Sequence, residues 1–140
     1  MKKLVLFLLL MVVSSFNLFA AEEQEGIHWF HGTFAEARQE SLTQNKVLFV
    51  DFYATWCGPC KFMMNQVFPK SEIYNYINEH FVAYKVDVDE DGDSAAEHMV
   101  KGIPTLLFLN ADEAGTELKR LVGSRPAEKF LVELKSIIEE

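Results

Sequence analysis

The chain has 140 residues, of which 49% are hydrophobic and 24% are charged, and its formal net charge is -8. This length and composition suit one globular domain with its own core and exclude a low-complexity chain. The acidic balance argues against a nucleic-acid partner, because phosphate backbones bind basic surfaces.

Residues 1–20 are predicted to be an export signal. Lys2 and Lys3 precede 18 uncharged residues from Leu4 to Ala21, and the stretch ends in small residues. This is the pattern of a secretory signal, and it predicts a location outside the cytoplasm, in the periplasm if the cell is Gram-negative. An uncleaved membrane anchor is the alternative, because about 20 apolar residues cross a bilayer. Cleavage would remove two lysines and no acid, which takes the net charge from -8 to -10.

The rest of the chain is predicted to be a linker at residues 21–26 and a domain at residues 27–140 with the element order β-α-β-α-β-α-β-β-α. The predicted strands are Ile27–Phe30, Val47–Ala54, Phe81–Val88, Thr105–Leu109 and Thr116–Val122. The predicted helices are Phe34–Gln44, one that begins at Gly58 and continues through Lys61–Phe68 with a second piece at Ser71–Glu79, Asp93–Val100 and Pro126–Glu139. Thr33 and Glu36 form a capping box before the first helix. Because the run Val47–Ala54 is almost entirely apolar, it indicates a strand covered on both faces, as in α/β folds.

The only two cysteines, Cys57 and Cys60, follow that buried strand in the run Trp56-Cys57-Gly58-Pro59-Cys60. Two thiols at this spacing, where a strand gives way to a helix, can close and reopen a disulfide without moving the fold. A purely structural bond is disfavoured, since a ring of about four residues stabilises a fold by only about 2 kcal/mol. At the amino end of a helix the Cys57 thiolate is favoured, so Cys57 is predicted to attack and Cys60 to resolve.

Metal binding by the same thiols is a competing interpretation. His28 and His31 are the nearest further zinc ligands, but they precede the cysteines and their spacing does not match a zinc finger. Met63 could join the two thiolates on Cu(I), because thioether sulfur suits that ion, although Met63 and Met64 are predicted to be packing residues. The sequence favours no metal and no cofactor other than the Cys57–Cys60 disulfide, with a metal-carrying module as an alternative.

A second metal motif lies after the third predicted strand. Asp87, Asp89, Asp91 and Gly92 match the start of a calcium loop, but the twelfth position is His98 in place of the bidentate glutamate. The segment is therefore predicted to be a solvated acidic strand end.

Asp51 lies in the middle of the apolar run Val47–Ala54. Burial removes the hydration of a carboxylate, so the pKa of Asp51 is expected to be raised. The alternative is an aspartate at a bend that faces water. Taken alone, Lys85 is predicted to be a solvated strand residue.

Three parts of the chain carry a family resemblance: Trp56–Lys61, Gly102–Thr105 and Gly123. With these features, residues Ile27–Ile138 resemble the thioredoxin family. Further similarity points to exported thioredoxin-like domains, such as the carboxyl-terminal domain of the membrane thiol:disulfide interchange protein; it is carried by Trp29, Phe34, Glu36, Ala37, Val67–Ile73 and Asn78–Val82. The resemblance implies a thioredoxin-like fold, with a central mixed β-sheet of four to five strands flanked by about four helices.

The same resemblance implies the roles of individual residues. The implied catalytic residues are Cys57, Cys60, Asp51 and Lys85; the acid helps to deprotonate the resolving cysteine, and the lysine accompanies the acid. The implied substrate-binding residues are Trp56, Gly58, Pro59, Ile103 and Pro104. A cis bond is implied before Pro104, and Ile103 is expected to offer backbone groups to an extended client segment.

These features together predict an exported thiol:disulfide oxidoreductase that reduces disulfides in client proteins. A reductase outside the cytoplasm needs a membrane thiol donor, and a monomer is expected. A disulfide oxidase or isomerase that uses the same pair is the alternative, because the redox direction depends on the partner that refills or drains the site.

Overall fold

The computed structural model describes residues 25–139, so the predicted export signal at residues 1–20 lies outside the described part of the chain. The strands are β1 (Val47–Tyr53), β2 (Phe81–Asp87), β3 (Thr105–Leu109) and β4 (Glu117–Val122). The α-helices are α1 (Phe34–Gln44), α2 (Gly58–Phe62), α3 (Ser71–His80), α4 (Gly92–Glu97) and α5 (Ala127–Glu139). A π-helical segment, Met63–Val67, continues α2. Within residues 25–139, no helix is long and apolar enough to span a bilayer.

The strands form one mixed sheet in the order β2-β1-β3-β4. β1 is parallel to β2 and antiparallel to β3, and β3 is antiparallel to β4. The central strand β1 is buried at five successive positions from Leu48 to Phe52, as its apolar run predicts. The predicted α/β architecture with a mixed sheet is therefore confirmed.

The two faces of β1 contribute to two separate hydrophobic clusters, because successive side chains point to opposite faces. Phe49 packs with Phe68 and Phe108 and with Phe130 of α5 in the larger cluster. Leu48, Val50 and Phe52 lie in the other cluster, together with Ala37 of α1 and Ala95 of α4. The sheet is thus covered on both sides, and the loops at the carboxyl end of β1 are free to form a site.

The predicted first strand at Ile27–Phe30 is wrong: within the described residues this segment makes a single parallel bridge, between Trp29 and Ala83. Its backbone donors mostly turn away from the sheet. Phe30 N donates to Ala83 O at 2.7 Å, but Trp29 N donates to Ile27 O and His28 N donates to the side chain of Asn78. The segment therefore covers the edge of β2 without extending the sheet.

Two predicted helices also differ from the structure. The helix predicted to continue through Lys61–Phe68 begins at Gly58, as expected, but it changes to π geometry from Met63 to Val67. The helix predicted at Asp93–Val100 ends at Glu97, because Met99 adopts a left-handed backbone with φ 51°. Its end is closed by a hydrogen bond from Val100 N to Ala95 O.

Candidate active site

The two cysteines lie just after β1 and form a disulfide. Cys57 is the N-cap of α2, and its Sγ accepts a hydrogen bond from Cys60 N at 3.2 Å. Pro59 occupies the first turn of the helix, where its missing N–H costs no hydrogen bond. Cys57 is 4% exposed and Cys60 is 1% exposed. The sulfur of Cys57 is therefore the one that meets the free donors at the helix start, and Cys60 lies inside the first turn.

The loop before β3 packs beside the disulfide. The Ile103–Pro104 peptide is cis, as the resemblance implies. Ile103 packs against the buried cluster of Ala54, Cys57 and Cys60. Pro104 O accepts a hydrogen bond from Gly123 N at 2.8 Å, which connects this loop to the end of β4. The structure thus brings together the predicted residues Cys57, Cys60, Ile103 and Pro104.

A mostly apolar groove of about 310 Å³ runs beside the disulfide. Trp56 forms its rim, with 67% of its surface exposed, and its Nε1 donates to Asp89 Oδ2 at 2.7 Å. The groove is lined by Trp56, Val88, Ala95, Val100, Lys101, Gly102 and Ile103. Trp56 and Ile103, two of the substrate-binding residues that the resemblance implies, therefore lie on one surface.

Asp51 is buried in the sheet beneath the cysteine helix. It is 2% exposed, and its Oδ2 lies 3.5 Å from Lys85 Nζ. Its other oxygen, Oδ1, is buried and has no hydrogen-bond partner among residues 25–139. Burial raises the pKa of Asp51 to about 6, although the charge and hydrogen bond of Lys85 act to lower it. The raised pKa expected from the sequence is therefore confirmed, and the alternative of an aspartate facing water is wrong.

Lys85 is held among aromatic rings and a methionine. Its Nζ donates to Met64 Sδ at 3.0 Å and lies 4.3 Å from the ring centre of Tyr53 and 4.8 Å from that of Trp29. Met64 belongs to the helical segment that begins at the cysteines, so the ion pair and the disulfide contact the same helix. No pattern in the sequence indicates the contact of Met64 with Lys85. The position of Tyr53 near this ion pair could have been predicted, because Tyr53 lies two residues after Asp51 and therefore on the same face of β1.

The acidic residues of the calcium-loop pattern serve the local backbone and Trp56. Asp87 Oδ1 accepts from Asp89 N, Asp89 accepts from Trp56, and Asp91 caps α4 by accepting from Ser94 N. Within residues 25–139, no group of three or more histidine, cysteine, aspartate or glutamate side chains is arranged to hold a metal ion. Sequence reasoning misses the role of Asp89 at the groove, because a charged residue after a strand is most often only solvated.

Comparison with known proteins places this site in a family. The thioredoxin family model matches residues 31–136. The chain belongs to the thioredoxin family. It is 42% identical over 87 residues to thioredoxin-1 of Saccharomyces cerevisiae, a match that covers 62% of this chain and 78% of that protein. It is 34% identical over 106 residues to a thioredoxin of Mycobacterium tuberculosis, covering 76% of this chain and 86% of that protein.

A solved thioredoxin structure agrees with the fold. The solution structure of a thioredoxin from Thermus thermophilus aligns with a TM-score of 0.71 at 30% identity, over 81% of this chain and 88% of that chain. The predicted thioredoxin-like fold is thereby confirmed. Family membership and the Cys57–Cys60 pair identify a thioredoxin-type protein-disulfide oxidoreductase that works through a redox-active disulfide and acts on disulfide-bearing clients.

Proposed function

We propose that this protein is exported and acts as a reductant of disulfides in client proteins. The observation that carries the proposal is the placement of Cys57 Sγ at the start of α2, where it accepts the N–H of Cys60. In the reduced protein, N–H donors and the helix dipole at this end stabilise a Cys57 thiolate, which is the attacking form of a thiol. Cys60 is the less exposed of the two and remains a thiol until a mixed disulfide forms.

The reaction transfers two electrons from the dithiol to the client. The Cys57 thiolate attacks one sulfur of the client disulfide; an S–S bond forms between protein and client, and the second client sulfur leaves as a thiolate that takes up a proton. Cys60 then loses its proton and attacks Cys57 Sγ. This step breaks the mixed disulfide, forms the Cys57–Cys60 disulfide and releases the reduced client.

Asp51 is proposed to accept the proton of Cys60, through a water molecule. It lies on the face of β1 that carries Tyr53, beneath the helical segment that follows Cys60. With its pKa at about 6, the carboxylate is ionised at pH 7 and is still basic enough to act as a general base. Lys85 lowers the pKa of Asp51, and its proposed role is to keep this buried acid ionised at neutral pH.

Two features of the sequence support the proposals that the protein is exported and that it acts as a reductant. Residues 1–20 have the pattern of a secretory signal, and Gly58 and Pro59 between the cysteines are the pair found in thioredoxin. A reductant is oxidised at every turnover, so outside the cytoplasm a membrane thiol donor must return two electrons to the Cys57–Cys60 disulfide. We propose that the protein works with such a donor as a monomer.

Reduction of insulin disulfides tests the activity. Cys57→Ser should abolish reduction, and Cys60→Ser should accumulate a mixed disulfide with the client, because the resolving thiol is lost. An unchanged rate in Cys57→Ser would contradict the proposal. Tight stoichiometric binding of Cu(I) or Zn(II) without reductase activity would favour the metal-carrying module.

Two measurements in cells test location and direction. Alkaline phosphatase fused after residue 26 should be active only if residues 1–26 export it, and an inactive fusion would contradict export. Trapping of free thiols with a maleimide reagent should find the Cys57/Cys60 pair mostly reduced. A pair that is mostly disulfide-bonded would favour the oxidase alternative.

A further inference from the structure

A half-buried ion pair joins Arg125, in the connection between β4 and α5, to Glu133 of α5. No sequence motif singles out either residue. The side chain of Arg125 is 10% exposed and that of Glu133 is 17% exposed. Arg125 Nη1 donates to both carboxylate oxygens of Glu133, at 2.9 and 3.0 Å. Charge-assisted hydrogen bonds of this kind fix the direction of a guanidinium group.

The fixed guanidinium group holds the backbone at the end of β4. Arg125 Nη2 donates to Val122 O at 3.2 Å and to Gly123 O at 3.0 Å. Gly123 has a left-handed backbone with φ 87°, and a side chain placed there would meet nothing within 4 Å. The turn is therefore open to solvent on that side, and the two hydrogen bonds from Arg125 define its position.

The same turn touches the disulfide site from two directions. Gly123 N donates to Pro104 O, and Val122, which is 61% exposed, lies beside Gly102 of the groove. Arg125 N also contacts Met63 Sδ at 3.4 Å, in the segment that continues the cysteine helix. Arg125 thus connects α5, the cysteine helix and the turn that holds the Pro104 loop.

We propose that Arg125, oriented by Glu133, is a positioning residue for client binding. Its hydrogen bonds fix the position of the Val122–Gly123 turn. The hydrogen bond from Gly123 N to Pro104 O then fixes the position of Pro104 and Ile103 relative to Cys57. An extended client strand that pairs with Ile103 must bring its disulfide to Cys57 Sγ, so a shift of this loop weakens productive binding. The inference rests on the proposed function and on the client-binding role that the family resemblance implies for Trp56, Ile103 and Pro104 at the groove.

The test compares Arg125→Gln with Arg120→Gln in insulin reduction. Arg120 makes a similar two-bond pair with Glu117 on β4, and its guanidinium hydrogen bonds within residues 25–139 go to that carboxylate and not to the turn, so it is a matched control. Arg125→Gln should raise KM about tenfold and leave kcat within about twofold, as expected for a displaced binding loop. Reduction of hydroxyethyl disulfide, which needs no client strand, should be unchanged in both variants. Arg125→Lys should restore part of the loss.

A purely structural role gives a different result. If Arg125→Gln lowers the melting temperature and leaves KM for insulin unchanged, the proposal is overturned. Glu133→Gln keeps one acceptor oxygen and should raise KM less; if Arg125→Gln does not fold, an unchanged KM in Glu133→Gln overturns the proposal equally.

Trp56→Ala separates this inference from the proposed client site. If Trp56→Ala raises KM and Arg125→Gln does not, the groove binds clients and the positioning role is wrong. If neither variant raises KM, the client site proposed at the groove is wrong and the inference falls with it.

Discussion

Asp51 Oδ2 lies 3.5 Å from Lys85 Nζ, and the two residues are direct partners in the parallel register of β1 and β2. The pair combines two opposing effects on one carboxyl group. Burial favours the neutral acid, while the nearby ammonium favours the carboxylate, and together they leave the pKa of Asp51 at about 6. Asp51 is therefore a buried base that is ionised at neutral pH.

Replacing Asp51 should change the pH dependence of stability. The folded protein holds the Asp51 proton more tightly than the unfolded chain does, because the pKa is raised from 3.8 to about 6. The tighter binding of this proton stabilises the folded state; the stabilisation is complete well below pH 4 and is lost as the pH rises through 6. Asp51→Asn should therefore gain about 2 kcal/mol more stability at pH 8 than at pH 4. Urea unfolding at the two pH values measures the difference.

Asp112 offers a control of opposite sign. Hydrogen bonds from the backbone N–H and the side chain of Thr116 hold the pKa of Asp112 below its usual range, so its contribution to stability is present at neutral pH and is lost as the pH falls. Asp112→Asn should therefore lose stability at pH 8. Equal effects of Asp51→Asn at pH 4 and pH 8 would contradict the account of Asp51.

Replacing Lys85 should raise the pKa of Asp51 further. Lys85→Met removes the cation that lowers this pKa and leaves the burial that raises it. The carbon-13 NMR titration of the Asp51 carboxyl group in the oxidised protein should move to a higher midpoint than in the wild type. Lys119→Met is the control, because Lys119 Nζ donates to Ser136 on another part of the molecule. An unchanged midpoint in Lys85→Met would mean that the ion pair has no influence on the acid.

The N-terminal cap of α1 should contribute measurably to stability. Thr33 Oγ1 accepts from Glu36 N at 3.2 Å, and Glu36 Oε2 accepts from Thr33 N at 2.7 Å, which confirms the predicted capping box. Thr33→Ala should lower the free energy of unfolding by about 1 kcal/mol. Thr43 lies in the same helix, but its hydroxyl donates to Gln39 O within the helix and caps no helix end. Thr43→Ala should therefore be neutral or stabilising, because alanine has the higher helix propensity. Equal losses in both variants would assign the effect to the helix as a whole.

The parts of this fold that depend on local patterns could be predicted from the sequence. The apolar run of β1 indicates a central strand, and an aspartate inside that run indicates a buried acid. The position of Cys57 at the end of the same run indicates a thiol at the carboxyl edge of the sheet. The cis bond at Pro104 follows from the family resemblance, because composition alone favours the trans form.

Other parts could not be predicted, since they depend on partners distant in the chain. Trp29 N bonds within its own segment, so only tertiary packing decides that Ile27–Phe30 makes a single bridge. The contact of Met64 with Lys85 spans 21 residues, and that of Arg125 with Met63 spans 62. No local pattern records pairs of this kind.

Alkylation of the reduced protein tests the central claim most directly. Rates of reaction with iodoacetamide, followed by peptide mass spectrometry from about pH 5 to about pH 10, show when each thiol becomes a thiolate. Cys57 should react first and at a lower pH than an ordinary cysteine, while Cys60 stays protected, because only Cys57 Sγ meets the donors at the start of α2. Equal rates for both thiols, with the midpoint of an ordinary cysteine, would contradict the account.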